Sequence, residues 1–223
     1  MEKVILVDHM RKLDSLTIES GTHSKELMYR AAMGVYSSYK WHGEIAIFCG
    51  SGNNAGDGYA LALILHNNGY NPHIILTSNK FSSDGLYYYK KCEELSIPMM
   101  IMSDDLKEYD IYVDALLGTG FKGEARGLIL DAINYLNNVN KPVISIDINS
   151  GLNGDNGMYE HAVKSDLTVS IGYLKPGLFL NKAKDLIKEI VNVEIGILPP
   201  EKYMKLLKNG DMLKNDMGSW RMQ

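Results

Sequence analysis

The chain has little cysteine and no long apolar run. Only Cys49 and Cys92 occur among its 223 residues, and they form no CxxC pair, which excludes a disulfide framework and a cysteine-based zinc site. Near the N-terminus the apolar run Val4–Val7 stops at Asp8, whereas a signal peptide needs about 7–15 apolar residues and a membrane span about 18 or more. We therefore expect a cytoplasmic protein with no membrane partner.

An excess of charge of one sign is also missing. The sequence has 23 basic and 27 acidic side chains, a net charge of −4, so no strong positive field favours a nucleic acid as partner. Hydrophobic residues make up 45% and charged residues 22% of the chain, a balance that supports a folded core and excludes compositional disorder. We predict one domain over residues 1–198 and a C-terminal tail over residues 199–223.

Short apolar segments alternate with helical patterns along the chain. Five segments are typical of strands covered on both faces, because they are short apolar runs without alternation: residues 45–49, 73–76, 111–114, 142–147 and 167–171. We expect a last strand over residues 190–195, with weaker burial. Helical patterns cover residues 59–66, 86–95 and 128–136, and two more precede the first strand, over residues 8–18 and from a predicted N-cap at Ser24. This alternation predicts an α/β fold with a mostly parallel, doubly wound sheet preceded by N-terminal helices.

A glycine-rich segment, GSGNNAGDG at residues 50–58, lies between the first predicted strand and the next helix. Such a turn exposes backbone N–H groups that suit a phosphate, although glycines alone also occur in turns needed only for packing. The adjacent polar residues Asn53, Asn54 and Asp57 favour ligand contacts. Because Asp57 rather than lysine follows Gly56, the P-loop motif is excluded, and the lack of an acidic residue after the second strand disfavours an ordinary dehydrogenase.

Hydrogen-bonding residues follow three predicted strands at their carboxyl ends, where open parallel sheets bind ligands. They lie in the segments 53–57, 114–124 and 147–151. An aspartate at a strand end is often only a helix cap or turn former, but Asp114 and Asp147 both stand beside glycine-rich loops, which favours a functional role. One carboxylate with amide and hydroxyl oxygens is a weakly charged donor set, which suits a monovalent cation better than zinc or calcium.

Four motifs in this order resemble the YjeF N-terminal domain family, the NAD(P)H-hydrate epimerases. The motifs are the 50–58 segment, DALLGTG at residues 114–120, DINSGL at residues 147–152 and KPGL at residues 175–178. With the entry segments MRKLD at residues 10–14 and ELM at residues 26–28, the resemblance spans residues 8–198. The chain departs from the family pattern at Tyr29, Ala32, Ala55 and Asn149.

The resemblance implies a Rossmann-like three-layer αβα fold that acts on damaged NADH and NADPH, in which water has added across C5–C6 of the dihydronicotinamide ring. Enzymes of this family interconvert the R and S hydrates, so that a separate ATP- or ADP-dependent dehydratase can restore NAD(P)H. The resemblance also implies a homodimer and a potassium ion bound by Asn54, Asp114 and Ser150. Carried over by position, the substrate site comprises Asn53, Asn54, Ala55, Gly56, Asp57, Gly118, Thr119, Gly120, Phe121, Lys122, Gly123, Glu124 and Asp147.

Epimerisation needs a general acid–base group, because the hydroxyl at C6 must leave with a proton and water must return on the opposite ring face. Asp147 is the first candidate, since it would lie against the ring, and Asp57 is the alternative acid. Asp114 would be committed to the cation. Two other functions stay open: a non-catalytic nucleotide-binding or interaction module of the same fold, and a nicotinamide-dependent oxidoreductase, which the missing ribose acid disfavours.

Overall fold

A parallel sheet forms the centre of the molecule. The computed structural model describes residues 4–103 and 105–201 of the chain. Its seven strands in this part of the chain are β1 Glu44–Cys49, β2 Asn71–Leu76, β3 Met99–Ile101, β4 Ile111–Ala115, β5 Val143–Ile146, β6 Ser165–Ile171 and β7 Ile187–Val193. They are hydrogen-bonded in the order β3-β2-β1-β4-β5-β6-β7, and each of these pairings is parallel.

Helices cover both faces of this sheet. They are α1 Val7–Glu19, α2 Ser24–Ser37, α3 Asn53–Asn67, α4 Ser83–Glu94 and α5 Leu128–Asn138, with short 3-10 helices at Pro176–Leu178 and Ala183–Asp185. Helices α1 to α4 share a hydrophobic cluster with Ile45 and Ile47 of β1, whereas α5 packs with Phe48 on the opposite face. The fold is therefore the expected three-layer α/β arrangement. No helix among residues 4–103 and 105–201 is long and apolar enough to cross a membrane.

The six predicted strands and the five predicted helices all occur, with shifted ends. The last predicted strand begins earlier than expected, at Ile187. Strand β3 has no predicted counterpart, because it is only three residues long and lies at the edge of the sheet, where Ile101 is 56% exposed. Of the predicted tail, residues 202–223 lie outside the described residues.

Two local predictions were wrong. Helix α3 begins at Asn53 rather than Tyr59, so the polar part of the glycine-rich segment is the first turn of a helix and not a loop. Gly52 precedes it in an extended conformation, as an N-cap residue does. Ser24 is the first residue of α2 rather than its N-cap, because the carbonyl of His23 already accepts from Glu26 N at 2.9 Å.

The connections after β1 and β4 position the site. These two strands are neighbours, yet β1 leads into α3 on one face and β4 leads towards α5 on the other, which leaves a crevice at their carboxyl ends. Gly58 lets α3 lie close to both strands, since a Cβ there would be 2.8 Å from Ala115 Cβ and 3.0 Å from Cys49 Sγ. The first turn of α3 is thereby held at the rim of the crevice.

Candidate active site at the carboxyl edge of the sheet

A cavity of about 520 Å³ opens at the carboxyl edge of the sheet. Segments that follow β1, β4, β5 and β6 form part of its lining, and the rest comes from α1, α2, Asp84 of α4 and Ile195 after β7. Its volume lies within the roughly 300–1,000 Å³ that is usual for small-molecule sites. Each of the three strand-end segments expected to meet at this edge supplies residues that line this cavity or lie directly beside it.

Asp114 is fully buried at the end of β4 and does not itself line the cavity. Its Oδ2 accepts from Ser145 Oγ at 2.8 Å and from Ser150 N at 2.9 Å. Its Oδ1 accepts from Leu116 N at 3.2 Å and from the Ser150 hydroxyl. Burial raises the pKa of Asp114, and the hydrogen bonds, those from Ser150 first, oppose that rise. The carboxylate thus joins the end of β4 to the turn that follows β5.

Asn54 and Ser150 meet at the backbone of Leu117. The Leu117 carbonyl accepts from Asn54 Nδ2 at 3.0 Å and lies 3.2 Å from Ser150 Oγ. The Leu117 N–H donates to Ser150 Oγ at 2.8 Å. Because Ser150 also bonds Asp114, the three residues predicted to hold a cation lie in one neighbourhood, which we call the Asn54 cluster (Asn54, Asp114, Leu117 and Ser150).

One oxygen of the Asn54 cluster lacks a hydrogen-bond partner. Asn54 Oδ1 is buried and unpaired within the described part of the chain, although an unsatisfied buried acceptor costs about 1–3 kcal/mol. The cluster offers carboxylate, hydroxyl, amide and carbonyl oxygens with a single negative charge, a set that fits a monovalent cation. Over residues 4–103 and 105–201 no three His, Cys, Asp or Glu side chains are arranged to hold a metal ion.

Asp147 lines the cavity just after β5 and is paired with a buried lysine. Its backbone is left-handed, with φ 66°, a conformation that is costly for a residue with a side chain and is frequent at functional sites. Its carboxylate accepts from the ammonium of Lys175, which is 1% exposed. Lys175 also donates to the Ile171 carbonyl at 2.7 Å. The pair therefore fixes Asp147 relative to the end of β6.

Two more carboxyl groups, Asp14 on α1 and Asp57 on α3, line the cavity without a hydrogen-bond partner among the described residues. Burial, and then the charge of Asp147, raises the pKa of Asp14 to about 6, while Lys175 lowers it. Burial raises the pKa of Asp57 well above its usual range, Asp147 and Asp14 add to the rise, and Lys175 opposes it. Three carboxyl groups around one ammonium group thus favour a bound proton near neutral pH.

The residues predicted to bind substrate fall into two groups. Ala55 and Gly56 are buried inside α3, where a Cβ on Gly56 would lie 2.5 Å from Met28 Cε. Lys122, Gly123 and Glu124 lie outside the lining of the cavity, and Glu124 there forms an exposed ion pair with Arg126 at 3.0 Å. The others line the cavity: Asn53, Asn54, Asp57, Gly118, Thr119, Gly120, Phe121 and Asp147.

Sequence reasoning missed Lys175 and Asp14 as residues of the site. Lys175 stands 28 residues from Asp147, so no spacing rule connects them. The available signal was a lysine just after an apolar strand, inside one of the four motifs. Asp14 has the spacing of an ordinary polar position on an amphipathic helix, and only the packing of α1 on the sheet turns it towards the cavity.

Departures from the family pattern have local explanations. Ala55 is helical and 1% exposed, so the position needs no glycine. Asn149 is fully buried, donates to Ser165 Oγ at 2.9 Å and accepts from Thr168 Oγ1 at 2.6 Å. Tyr29 is 43% exposed and lies outside the lining of the cavity. None of these three residues alters the Asn54 cluster.

Comparison with solved structures bears on the fold. The chain superposes on the crystal structure of the yeast protein ynu0 with a TM-score of 0.76 at 19% sequence identity, over 96% of this chain and 98% of that one. At this level of identity the likeness shows a shared three-layer architecture.

Comparison with curated proteins bears on the family. The chain is 33% identical over 206 residues to the NAD(P)H-hydrate epimerase of Lentilactobacillus buchneri, covering 88% of this chain and 96% of that protein. It is 34% identical over 206 residues to the bifunctional NAD(P)H-hydrate repair enzyme Nnr of Archaeoglobus fulgidus, covering 91% of this chain. The chain spans only 43% and 40% of the length of the bifunctional relatives from Archaeoglobus fulgidus and Coxiella burnetii. Residues 24–177 match the family described as YjeF-related protein N-terminus, and the chain belongs to this family.

Proposed function

We propose that the chain is an NAD(P)H-hydrate epimerase, which interconverts the R and S hydrates of NADH and NADPH. The observation that carries the proposal is the set of side chains that line the cavity. The Asp147–Lys175 ion pair and two carboxyl groups without partners line one pocket beside the Asn54 cluster. A relative of nearly the same length bears this name, which supports the same activity here.

The reaction inverts C6 of the ring and needs both a proton donor and a proton acceptor. As the C6–O bond breaks, the oxygen leaves with the bonding electrons and takes a proton from a carboxyl group, giving water and a ring cation stabilised by the N1 lone pair. Water then adds to C6 from the opposite face and loses a proton to a carboxylate. One proton is given and one is taken back. The departing oxygen takes the electron pair of the C6–O bond and the returning water brings a pair, so the reaction needs no oxidant or reductant.

Asp147 is the group that we place against the ring. Its Oδ1 already accepts from Lys175, while its Oδ2 lies towards Gly118, 3.9 Å from the place of a Cβ there. Asp147 therefore suits the role of proton acceptor for the returning water. Asp57 is the alternative acid: it lines the same cavity, and burial raises its pKa.

The phosphates of the substrate would lie at the start of α3. No side chain caps this helix, so its first N–H groups stay free to bind an anion. Asn53 and the segment Gly118–Phe121 line the adjoining part of the cavity. These residues would bind the nucleotide, while the carboxyl groups act on its ring.

Potassium would be held by the Asn54 cluster, through Asn54, Asp114 and Ser150. The orphaned Asn54 Oδ1 supports this assignment. A bound cation would supply fixed positive charge that balances Asp114 and would hold the segments after β1, β4 and β5 together.

The proposal includes coupling to a separate ATP- or ADP-dependent hydrate dehydratase, and a homodimer as the working assembly. The bifunctional relatives, which are more than twice as long as their match to this chain, support a neighbouring activity in the same repair process. The dehydratase would consume the epimer that this chain produces.

The test follows conversion of a purified R hydrate of NADPH, with an S-specific dehydratase as the coupling enzyme, in KCl and in LiCl. We expect the wild-type chain to speed conversion, more in KCl, and Asp147→Asn to slow it by about 100-fold or more. Asp131→Asn, on the exposed first turn of α5, is the matched control and should match the wild type. A wild-type chain that binds the hydrate without converting it would instead be a non-catalytic module.

A further inference from the structure

Asp14 differs from the other carboxyl groups that we place in the reaction, because it lies on the N-terminal helix α1 and not in a segment that follows a strand. It is partly buried and lines the same cavity as Asp57 and Asp147. Within the described residues its carboxylate has neither a hydrogen-bond nor an ion-pair partner. A carboxyl group that is withdrawn from solvent but unpaired loses hydration without compensation, so its retention in the wall of a cavity points to a role towards the ligand.

The helix that carries Asp14 is anchored at both ends. The Val7 N–H at its start donates to Asp155 Oδ1 at 2.8 Å. Near its end, Thr17 Oγ1 accepts from Leu198 N at 3.0 Å. Between these anchors Arg11 reaches across to the Thr119 carbonyl at 3.2 Å. The point on α1 from which the Asp14 side chain projects is therefore fixed relative to the cavity, as positioned proton transfer requires.

We propose that Asp14 is a second proton-carrying group of this site and faces the hydrated ring, an inference that rests on the proposed epimerase function. The charged groups that line the cavity with it are Asp57 from α3, Asp84 from α4, Asp147 after β5 and Lys175 after β6, with Arg11 on its own helix. Asp147 is committed to Lys175 on one oxygen. Asp14 carries no such bond, so its proton is free for the substrate.

The proton-transfer sequence assigns a separate task to each carboxyl group. Asp14 gives its proton to the leaving C6 hydroxyl, which departs as water with the electrons of the C6–O bond. Water returning on the other ring face adds to C6 and gives its proton to Asp147. A proton then passes from Asp147 back to Asp14, so the enzyme ends as it began. Burial raises the pKa of Asp14 to about 6, close enough to neutrality for it both to give and to regain a proton.

The experiment compares Asp14→Asn, Asp14→Glu and the wild type for epimerisation of the R hydrate of NADPH between pH 5 and pH 9. We expect Asp14→Asn to lower kcat by about 100-fold, since general acid–base catalysis commonly contributes 10²–10⁴-fold, while KM changes by less than about threefold. The inflection of kcat near pH 6 should vanish in Asp14→Asn and persist in Asp14→Glu. Glu19→Gln, which removes an exposed charge from the same helix, is the matched control and should leave the profile unchanged.

The outcomes separate this proposal from the epimerase proposal. An Asp14→Asn chain with native kcat and an unchanged pH profile overturns the role of Asp14 and leaves the epimerase intact. A wild-type chain that does not speed conversion overturns both. A ¹³C NMR titration of the aspartate carboxyl groups tests the proton without any measurement of activity. A wild-type carboxyl signal that titrates near pH 6 and is missing from the Asp14→Glu spectrum supports the proposal, whereas Asp14 titrating near pH 4 overturns it.

Discussion

The charge on Lys175 is almost completely withdrawn from water, since 1% of the side chain is exposed, and Asp147 is its ion-pair partner. Removing one member of a buried pair leaves the other charge uncompensated, which costs about 3–5 kcal/mol. We therefore expect Lys175→Met to lower the free energy of unfolding by about 3 kcal/mol and to slow epimerisation as Asp147 loses its fixed position.

The matched control for this change is an exposed pair of the same chemistry. Lys188 pairs with Asp166 on the surface, and exposed pairs contribute less than about 1 kcal/mol. Lys188→Met should thus leave urea unfolding nearly unchanged. If both variants lost the same small amount of stability, the buried pair would have no special structural role.

Asp14 makes the stability of the fold depend on pH. Its pKa is about 6 in the folded chain against an ordinary value of 3.8. Well below pH 4 the Asp14 carboxyl group is protonated in both the folded and the unfolded chain. As the pH rises from 4 to 6 it ionises first in the unfolded chain, which stabilises that state and lowers the free energy of unfolding by up to about 3 kcal/mol. Asparagine cannot ionise, so Asp14→Asn should exceed the wild type in stability at pH 7.5 but not at pH 4. Urea unfolding at both pH values measures this, and a difference independent of pH would contradict it.

Among the elements, α3 depends on close contact with the sheet. A Cβ at Gly58 would lie 2.8 Å from Ala115 Cβ, and overpacking of this kind costs about 1–3 kcal/mol. We expect Gly58→Ala to destabilise the fold by that amount and to displace the first turn of α3 from the cavity, which thermal unfolding and substrate affinity would register. Gly120→Ala is the control for stability, because the nearest atom there is Arg11 Nη2 at 3.6 Å; equal losses in the two variants would argue against the close contact.

Helix α1 relies on a cap from a distant segment. No side chain next to its start caps it, and Asp155 supplies the acceptor for Val7 N instead. Loss of a capping acceptor costs about 1 kcal/mol, so Asp155→Ala should destabilise the chain by this amount and speed hydrogen exchange of the α1 amides. Asp155→Asn keeps an acceptor oxygen and should stay closer to the wild type. Unchanged exchange in Asp155→Ala would show that α1 is held by its packing alone.

Elements buried on both faces could be predicted from the sequence, whereas those set by tertiary contacts could not. Segments such as 45–49 are continuously apolar and could hardly be anything but central strands. The start of α3 was placed too late because Asn and Gly have low helix propensity, and only packing against the sheet makes Asn53–Gly58 helical. The positions of Asp114 and Asp147 at the carboxyl edge could be predicted because both residues end apolar strands. Lys175 was missed because its partner is far away in the chain.

At the scale of the whole molecule, a cation in the Asn54 cluster would link segments that follow three different strands. Binding to the folded state alone stabilises it, by about 2.7 kcal/mol at a ligand concentration of 100 Kd. We expect KCl to raise Tm above its value in LiCl of equal ionic strength, and Asn54→Ala to abolish the difference. Asn53→Ala, one residue away and exposed, should retain it. Equal Tm values in both salts for the wild type would contradict a potassium site.

The segment after β7 meets α1 and α2 beside the cavity. Leu198 bonds Thr17, the Ile195 carbonyl accepts from Arg30 at 3.0 Å, and Ile195 itself lines the cavity with residues of α1 and α2. Because this segment follows the last strand, the wall that Ile195 forms is completed only when the chain beyond β7 is in place. A chain halted before Ile195 would therefore carry the strand-end carboxylates in a pocket that is still open on that side.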